Sequence, residues 1–386
     1  MDSGRGAMTV PGQPELPREA EVVVVGGGFA GAATACFLGR YGVPRVVLLE
    51  AEDQFAVHAS GLNAAMARQV TADPLTNEVL RASVALITRR DGFWPTEVEI
   101  RQNGSILLTG PGETALKSAA RQAAEAGLDC AIVDRPAVIA RVGLLERTDF
   151  AEAVLTRSDG VVDIHALLWR YLADAKAHGV QVLSGVRVEA VEVQFGRVRG
   201  VATSAGRIRC PVVVNAAGAW ANRLAQSAGV RALDMQPYRR HLVTTPPLPF
   251  VDPSWPFVWD TVHEYYFRPE VRGLLLSPGD QTPAEPARAQ RDPAALERLA
   301  EVLRLHCPDL ARIPVHRWWA GLRTITRDGR FAVGWDRSVG GFFWVAGLGG
   351  HGMTASAAVG SFAASLLAGR EVPEPWRTAL DPARLQ

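Results

Sequence analysis

The pattern of apolar and polar positions is most informative near the N-terminus, in the segment EVVVVGGGFAGAATACFLGRYGVPRVVLLEAE at residues 21–52. Val22–Val25 is a β-branched run, typical of a strand buried on both faces of a parallel sheet. Residues 30–40 are rich in alanine and poor in β-branched side chains, which predicts a helix. Val46–Leu49 is a second buried strand. The segment therefore predicts the order strand, glycine loop, helix, strand.

Helical spacing of apolar residues recurs in three further segments, at residues 73–90, 112–127 and 163–178. The last of them has Asp163 as a helix-capping residue and Gly179 just past its end. We predict a helix in each segment.

Strand patterns fill much of the remaining chain. Residues 97–109 contain the turn sequence RQNGSILL and predict a β-hairpin. Residues 181–215 alternate with period two and break at glycines, which predicts a meander that ends in the buried strand Val212–Asn215. Between residues 233 and 319 the segments YRRHLVTT, EYYFRPE and GLLLSPG predict antiparallel strands, and residues 331–369 return to strand, glycine turn and helix.

Composition narrows the class of protein. The chain has 386 residues, 48% of them apolar, and Lys+Arg 41 against Asp+Glu 40 leave a net charge of +1. Without a basic block or an apolar run of about 20 residues, we predict no nucleic-acid partner and no membrane span. The four cysteines are far apart, so neither a metal site nor a disulfide framework is predicted. Residues 1–20 lack the apolar core of a signal peptide and predict a disordered leader of a cytoplasmic protein.

The loop between the first strand and the first helix has the spacing GxGxxG. Gly26 permits a tight turn, Gly28 lets the backbone approach a pyrophosphate, and Gly31 lets the helix pack on the strand. The pyrophosphate would meet the positive end of the helix. Glu50, at the end of the second strand, is placed to accept a hydrogen bond from a ribose hydroxyl. This arrangement suits NAD or FAD and disfavours NADP, whose 2′-phosphate the carboxylate would repel.

Two distant segments favour a flavin over a nicotinamide. Residues 212–220, VVVNAAGAW, are a buried strand that ends in small residues, where the chain could pass beside a bound nucleotide. Residues 344–360, WVAGLGGHGMTASAAVG, predict a second helix N-terminus, suited to the electron-rich edge of a reduced flavin. A single GxGxxG leaves no second dinucleotide site for NAD(P)H.

With these segments the chain resembles the FAD-dependent D-amino acid oxidase superfamily, which includes glycine oxidase, sarcosine oxidase and D-amino acid dehydrogenases. The resemblance covers about residues 20–375 and rests on the motifs VVVGGGFAGAATA, HASGLNAA, VVVNAAGAW, QPYRR, WWAGLRTITRDGR and GLGGHGM. Within the superfamily the chain looks most similar to bacterial D-arginine dehydrogenase. The resemblance implies FAD as the cofactor.

The resemblance and the patterns above together predict an α/β fold. A Rossmann-like FAD-binding domain is expected to be interleaved with an α+β substrate domain built on a large antiparallel sheet. The FAD-binding domain is predicted at residues 21–95, 151–232 and 326–386, and the substrate domain at residues 96–150 and 233–325.

In the family that the chain resembles, two arginines hold the substrate carboxylate. The matching residues are Arg240 in QPYRR and Arg323 in WWAGLR. A guanidinium suits this role because it presents a rigid pair of donors and stays charged. The adjacent Arg239 could exchange roles with Arg240, and that alternative stays open.

The resemblance implies roles for four further residues. Tyr266 matches a tyrosine that closes over the substrate, although an aromatic on a strand is often a core residue. Gly350 falls where a backbone carbonyl accepts a hydrogen bond from the substrate amine, and His351 either faces the flavin or is structural. His58 lies where the family wraps the isoalloxazine ring, and a covalent bond from His58 to the flavin stays open.

The resemblance and the glycine motifs assign a larger set of residues to FAD binding. They are Gly26, Gly28, Phe29, Ala30, Gly31, Glu50, Ala51, His58, Ser60, Gly61, Asn63, Val188, Ala217, Gly218, Trp220, Gly347, Gly349, Gly350, Gly352 and Met353.

The departures from D-arginine dehydrogenase concern its substrate pocket. Its histidine and its lid tyrosine correspond to Met66 and Thr71, and residues 103–105 supply no carboxylate for a guanidinium. Phe257 and Trp259 suggest an apolar wall instead, against which an unpaired guanidinium would be costly. We therefore do not expect a D-arginine specialist.

These features predict oxidation of the Cα–N bond of a D-amino acid, glycine or an N-alkyl amino acid. Hydride transfer to flavin N5 would give an imine, which water hydrolyses to an oxo acid. Three alternatives stay open: an FAD oxidase of another amine or secondary metabolite, the flavin subunit of a heteromeric dehydrogenase with an electron-accepting partner, and a non-catalytic nucleotide-binding protein. The sequence does not determine the electron acceptor, the chirality of the substrate, or whether the chain forms a homo-oligomer.

Overall fold

The computed structural model describes residues 16–386, so residues 1–15 of the predicted leader lie outside the described residues. In this range the strands are, in chain order, β1 (Val22–Val25), β2 (Val46–Leu49), β3 (Met66–Ala67), β4 (Ile100–Arg101), β5 (Ser105–Thr109), β6 (Cys130–Asp134), β7 (Glu152–Thr156), β8 (Gly160–Val162), β9 (Gln181–Leu183), β10 (Val188–Gln194), β11 (Arg197–Thr203), β12 (Gly206–Arg209), β13 (Val212–Asn215), β14 (Met235–Thr244), β15 (Phe257–Asp260), β16 (Tyr265–Glu270), β17 (Gly273–Ser277), β18 (Thr282–Pro283), β19 (Arg317–Thr326), β20 (Ala332–Trp335) and β21 (Phe342–Ala346).

The α-helices of the same range are α1 (Phe29–Arg40), α2 (Pro74–Ile87), α3 (Thr114–Glu125), α4 (Arg135–Ile139), α5 (Ile164–Ala177), α6 (Ala221–Ser227), α7 (Ala294–His306), α8 (Ser356–Leu367) and α9 (Glu374–Leu380). The predicted cap of α5 is confirmed, because the Asp163 carboxylate accepts hydrogen bonds from the first-turn N–H groups of His165 and Ala166. No helix in residues 16–386 is both long and apolar enough to cross a membrane.

The glycine loop belongs to a six-stranded sheet of order β20-β21-β13-β1-β2-β9. Every neighbouring pair in it is parallel except β20 with β21. Helices α1, α5 and α8 cover one face, and the meander β10-β11-β12 with α6 covers the other. Because both faces are covered, the four valines of β1 are buried, and the predicted strand, loop, helix and strand are confirmed.

A second, nine-stranded sheet contains most of the strands from the middle of the chain. Its order is β18-β14-β17-β16-β15-β5-β7-β6, and β19 pairs along the whole of β14. The predicted strands β14, β16 and β17 are confirmed as antiparallel neighbours. The strand β7 also belongs to this sheet, although the predicted domain boundary at residue 150 places it with the cofactor domain. The division into two domains otherwise stays a prediction.

The predicted hairpin over residues 97–109 is wrong. The strands β4 and β5 do not pair with each other: β4 pairs with β8 in a small three-stranded sheet, whereas β5 pairs with β7 and β15. Both strands therefore use one distant segment, residues 152–162, as their partner. The Asn-Gly turn signal at residues 103–104 marks the point where the chain passes from one sheet to the other.

The predicted disordered leader is wrong for its last residues. Ala20 is only 4% exposed, and its N–H donates to the Arg209 carbonyl at 2.9 Å. Glu19 forms a β-bridge with the same residue. Residues 19 and 20 therefore continue the edge of the meander that covers the parallel sheet.

Candidate active site

A cavity of about 400 Å³ runs between the parallel sheet and the nine-stranded sheet. Its walls come from the glycine loop, the end of β2, residues 56–66, residues 216–220, β14, β19 and residues 345–354. The segments that follow β1, β2, β13 and β21 meet here because the carboxyl ends of these parallel strands all face the same edge of their sheet.

The glycine loop is packed too tightly for side chains. Gly26 has φ +109°, and a Cβ on it would lie 2.4 Å from the Ala216 carbonyl oxygen. A Cβ on Gly31 would lie 1.9 Å from the Gly26 carbonyl oxygen. Both positions therefore require glycine, for the conformational and packing reasons that the GxGxxG spacing predicts.

Polar contacts hold the ends of β2 and α1 in fixed positions. The Glu50 carboxylate accepts hydrogen bonds from the N–H groups of Gly27 at 2.8 Å and Glu52 at 2.9 Å. The Ser60 hydroxyl accepts a hydrogen bond from the Phe29 N–H at 3.0 Å, at the start of α1. The acid that would bind a ribose is thus tied directly to the loop that would bind the phosphates.

The segment after β2 wraps along the cavity. Its backbone has left-handed conformations at Ala56 and Ala65, and the Asn63 side chain accepts a hydrogen bond from the Ala65 N–H at 2.8 Å. The His58 imidazole lies 3.0 Å from the Glu52 carboxylate, and its ring centroid is 4.7 Å from that of Trp220. These contacts fix the orientation of His58.

Most of the predicted site residues line this one cavity. They are Gly26, Gly28, Phe29, Ala30, Glu50, Ala51, His58, Ser60, Asn63, Val188, Ala217, Gly218, Trp220, Arg240, Arg323, Gly347, Gly349, Gly350, Gly352 and Met353. The other four, Gly31, Gly61, Tyr266 and His351, are not part of its wall. Gly61 shapes the wall from behind, because a Cβ on it would lie 2.0 Å from the Ala56 carbonyl oxygen.

The two predicted carboxylate-binding arginines lie on adjacent strands. In the ladder of β14 with β19, Arg240 is opposite Gly321 and Arg323 is opposite Tyr238. Successive side chains on a strand alternate between faces, so Arg240 and Arg323 are diagonal neighbours on one face. Arg239 lies on the opposite face and forms an ion pair of 2.5 Å with Asp292. The structure therefore places Arg240, and not Arg239, at the cavity.

Arg240 is a buried cation at the wall of the cavity. It is 6% exposed, and neither its Nε nor its Nη1 has a hydrogen-bond acceptor among residues 16–386. Burial, together with the nearby charge of Arg323, lowers the pKa of Arg240 to about 10, so the guanidinium stays charged at neutral pH. A buried cation with free donors is costly in itself and matches an anionic ligand.

Tyr266 is a core residue whose hydroxyl reaches the site. The side chain is fully buried and packs edge-on against Phe257 and at a tilt against Trp259, at centroid distances of 5.8 and 5.2 Å. Its hydroxyl accepts a hydrogen bond from Arg323 Nη2 at 3.1 Å. In this structure Tyr266 orients Arg323, and its predicted role as a lid stays a prediction.

The sequence reasoning missed Arg68. Its Nη2 donates to His351 Nε2 at 2.9 Å, and its guanidinium lies over the Trp259 ring, 4.4 Å from the centroid. Because a guanidinium can only donate, the imidazole proton is on Nδ1. Burial and the charges of Arg68 and Arg323 hold the pKa of His351 well below its ordinary value of 6.5, so this histidine is neutral. Arg68 matches no motif, and the only available signal was its position just after the HASGLNAA segment.

The glycine loop, Glu50 and the end of α1 fit FAD. The cradle at Gly26 leaves room only for backbone, as a pyrophosphate site requires, and the Glu50 carboxylate suits a ribose hydroxyl. Residues 56–66 and 345–354 contribute to the same cavity as this loop and the two arginines, and would flank the flavin ring.

Comparisons with known proteins agree with this geometry. The family model DAO, described as FAD dependent oxidoreductase, matches residues 21–366. Sarcosine oxidase subunit beta of Rhizobium meliloti is 27% identical over 327 residues, which are 82% of this chain and 77% of that protein. Mouse mitochondrial sarcosine dehydrogenase is 27% identical over 63% of this chain, and the match spans only 27% of that longer protein.

Among solved structures, L-proline dehydrogenase from P. horikoshii has the same fold. Its TM-score is 0.85 at 24% identity, over 96% of this chain and 98% of that one. The more specific resemblance to D-arginine dehydrogenase is not tested by these similarities and stays a prediction.

Proposed function

The chain belongs to the DAO family of FAD-dependent oxidoreductases, and from this premise we propose that it oxidises the Cα–N bond of an amino acid or N-alkyl amino acid. The observation that carries the proposal is the pair Arg240 and Arg323 on one face of the β14–β19 ladder. Arg240 offers free buried donors, and Arg323 is held in place by Tyr266. A substrate carboxylate would accept from both guanidinium groups.

This chain's own residues bind and orient the substrate. With the carboxylate on the two arginines, Cα is held at the flavin end of the cavity. A Cβ on Gly350 would lie 3.2 Å from Arg323 Nη1, so glycine leaves space for the substrate beside the guanidinium. We place the substrate amine at the Gly350 carbonyl. When bound, FAD would supply the redox chemistry as the hydride acceptor.

The curated relatives named in the comparison favour a secondary amine as substrate. Sarcosine, which appears in the names of two of them, is an amino acid whose nitrogen carries a methyl group. We therefore propose an N-alkyl amino acid ahead of a primary D-amino acid. The cluster of arginines disfavours a cationic substrate such as arginine, because its side chain would be repelled.

A second candidate is the flavin subunit of a heteromeric enzyme. It is favoured by the similarity to a protein that is itself named as a subunit, over 82% of this chain. Size-exclusion chromatography of the purified chain, with amino-acid-dependent flavin reduction measured in the monomer fraction, separates the two. Full catalytic turnover of the monomer with a soluble electron acceptor would contradict the proposal that the chain is a subunit of a heteromeric enzyme.

The test of the proposed function is anaerobic flavin bleaching by a panel of D-, L- and N-methyl amino acids, with wild-type protein and Arg323→Met. We expect the variant to keep its FAD and to need at least about 100-fold more substrate for half-maximal bleaching, because a desolvated charge contact to the carboxylate is lost.

Arg327→Met is the matched control, since Arg327 follows β19 but is exposed and paired with Asp234. It should behave as wild type. If bleaching by every amino acid is unchanged in Arg323→Met, the carboxylate assignment is wrong.

A further inference from the structure

Arg68 completes a ring of contacts beside the proposed carboxylate site. Arg323 donates to the Tyr266 hydroxyl at 3.1 Å, Tyr266 packs on Trp259 at 5.2 Å, and Arg68 lies 4.4 Å over Trp259. Arg68 also donates to His351, which follows Gly350, and Gly350 in turn adjoins Arg323. The ring therefore has an arginine on each of two sides.

The donors around this ring exceed the acceptors. The indole N–H of Trp259 is buried and has no hydrogen-bond partner among the described residues, and the same is true of two nitrogens of Arg240. His351 is neutral and already accepts from Arg68. Unpaired donors that are excluded from water require acceptors to be supplied by something else.

The charges around the ring are also unbalanced. Across residues 16–386, none of Arg68, Arg240 and Arg323 is within ion-pair distance of a carboxylate, whereas Arg239 and Arg268 on neighbouring positions are paired. Arg323 repels both Arg68 and Arg240, and the carboxylates that attract them, such as Asp159 for Arg68, act from beyond ion-pair distance. One carboxylate would neutralise a single charge of the three.

We propose that the substrate carries a second carboxylate, which Arg68 and the Trp259 indole N–H bind across the ring from Arg240 and Arg323. This inference rests on the proposed function, because it assumes that the first carboxylate occupies the two-arginine site. The second carboxylate is either on the substituent of the amine, as in an N-carboxyalkyl amino acid, or on the side chain, as in an acidic amino acid.

Pairs of unreactive acids test the proposal by isothermal titration calorimetry on the FAD-loaded protein. Methoxyacetate and diglycolate differ by one carboxylate on the substituent side, and propionate and succinate differ by one carboxylate on the chain side. We expect the diacid of at least one pair to bind about tenfold tighter than its monoacid, as a charge-assisted contact of this kind predicts. Which pair shows the preference identifies the position of the second carboxylate.

In Arg68→Met the affinities for diacid and monoacid should be about equal. Arg68→Lys should keep part of the preference for the diacid, because the positive charge remains. Arg223→Met is the control, since Arg223 is an exposed arginine that is paired with Glu285 at 3.3 Å and takes no part in the ring. Its preference should equal that of wild type.

Monoacid and diacid binding equally in the wild type, or an unchanged preference in both Arg68 variants, would overturn the second-carboxylate site and leave the proposed function standing. Failure of all four acids to bind, with flavin that no amino acid reduces, would instead overturn the proposed function.

Discussion

The cofactor end and the substrate end of the cavity are lined by different kinds of groups. At the cofactor end the contacts come from backbone and small residues, such as Gly26 and Gly31, which a side chain would displace. At the substrate end they come from the long charged side chains of Arg68, Arg240 and Arg323, which lack carboxylate partners within residues 16–386. The first end is defined by steric fit, and the second by unsatisfied charge.

This difference predicts opposite responses to mutation. Side chains added at the cofactor end would overlap with neighbouring atoms, so they should destabilise the fold and weaken cofactor binding together. Charges removed at the substrate end relieve an uncompensated burial, so they should weaken substrate binding without loss of stability. Function and stability are therefore coupled at one end of the cavity and opposed at the other.

The largest expected effect is at Gly31. In Gly31→Ala the new methyl group would lie 1.9 Å from the Gly26 carbonyl oxygen, a contact that only movement of α1 away from β1 could relieve. We expect a loss of about 3 kcal/mol or more in the free energy of unfolding, and loss of bound FAD. Urea titration and the ratio of flavin to protein absorbance measure the two effects.

Gly143→Ala is the matched control for this change. Among residues 16–386, and apart from its neighbours along the chain, no heavy atom lies within 4 Å of a Cβ placed on Gly143, so the added methyl group meets open space. It should change neither stability nor FAD content. Normal FAD content in Gly31→Ala would show that the cofactor end tolerates side chains, which contradicts the steric account.

The cofactor end was predictable from sequence because its determinants are local. The run Val22–Val25, the loop Gly26 to Gly31 and the acid Glu50 lie within one βαβ unit, so each residue specifies its own neighbourhood. The second glycine turn could also be placed, since its glycines lie between one strand and the next helix in the sequence; in the structure Gly349 donates to the carbonyl of Thr324, within the β14–β19 ladder, at 2.9 Å.

The substrate end was only partly predictable because its determinants are long-range. Arg240 and Arg323 came from motifs, but their shared face depends on the pairing of β14 with β19. The hairpin prediction failed because β4 and β5 each pair with residues 152–162, which local turn signals cannot indicate. Arg68 was missed for the same reason. It follows the strand β3, which pairs with β8 in the same small sheet as β4.

A pH titration of Asp159 tests the charge account. This carboxyl is 1% exposed and accepts hydrogen bonds from Ser105 and Gln69, and its charge attracts Arg68. Burial raises its pKa from 3.8 to about 6. Between these values the folded protein binds a proton that the unfolded chain releases, so the contribution of Asp159 to stability grows as the pH falls and is lost as it rises through 6.

We expect wild type to gain about 2.5 kcal/mol in the free energy of unfolding relative to Asp159→Asn between about pH 7 and about pH 4. Asp336→Asn is the control, because Asp336 is buried too. Burial raises the pKa of Asp336, but hydrogen bonds from Ser338 and Trp344 lower it by more, so that the pKa lies below 3.8. The difference for that variant should stay constant over this range. A constant difference for Asp159→Asn as well would contradict the account.

The smallest effect is expected at Arg240, where the sign of the change in the free energy of unfolding distinguishes strain from stabilisation. Arg240→Met removes a buried cation whose Nε and Nη1 have no acceptor in the described part of the chain, and the methionine side chain can fill the same space. We expect the protein without substrate to gain about 2 kcal/mol in the free energy of unfolding while it loses its affinity for carboxylates.

Arg268→Met is the matched comparison for that sign. Arg268 is 4% exposed, but it donates to the Ala64 carbonyl at 2.8 Å and pairs with Glu270 at 2.5 Å. Its removal leaves a buried carbonyl and a carboxylate without their partner, so we expect a loss of about 3 kcal/mol. Denaturant titration of both variants gives the two signs side by side. If both variants lose stability, Arg240 has a partner within the folded chain, and the substrate end is held together by its arginines instead of being strained by them.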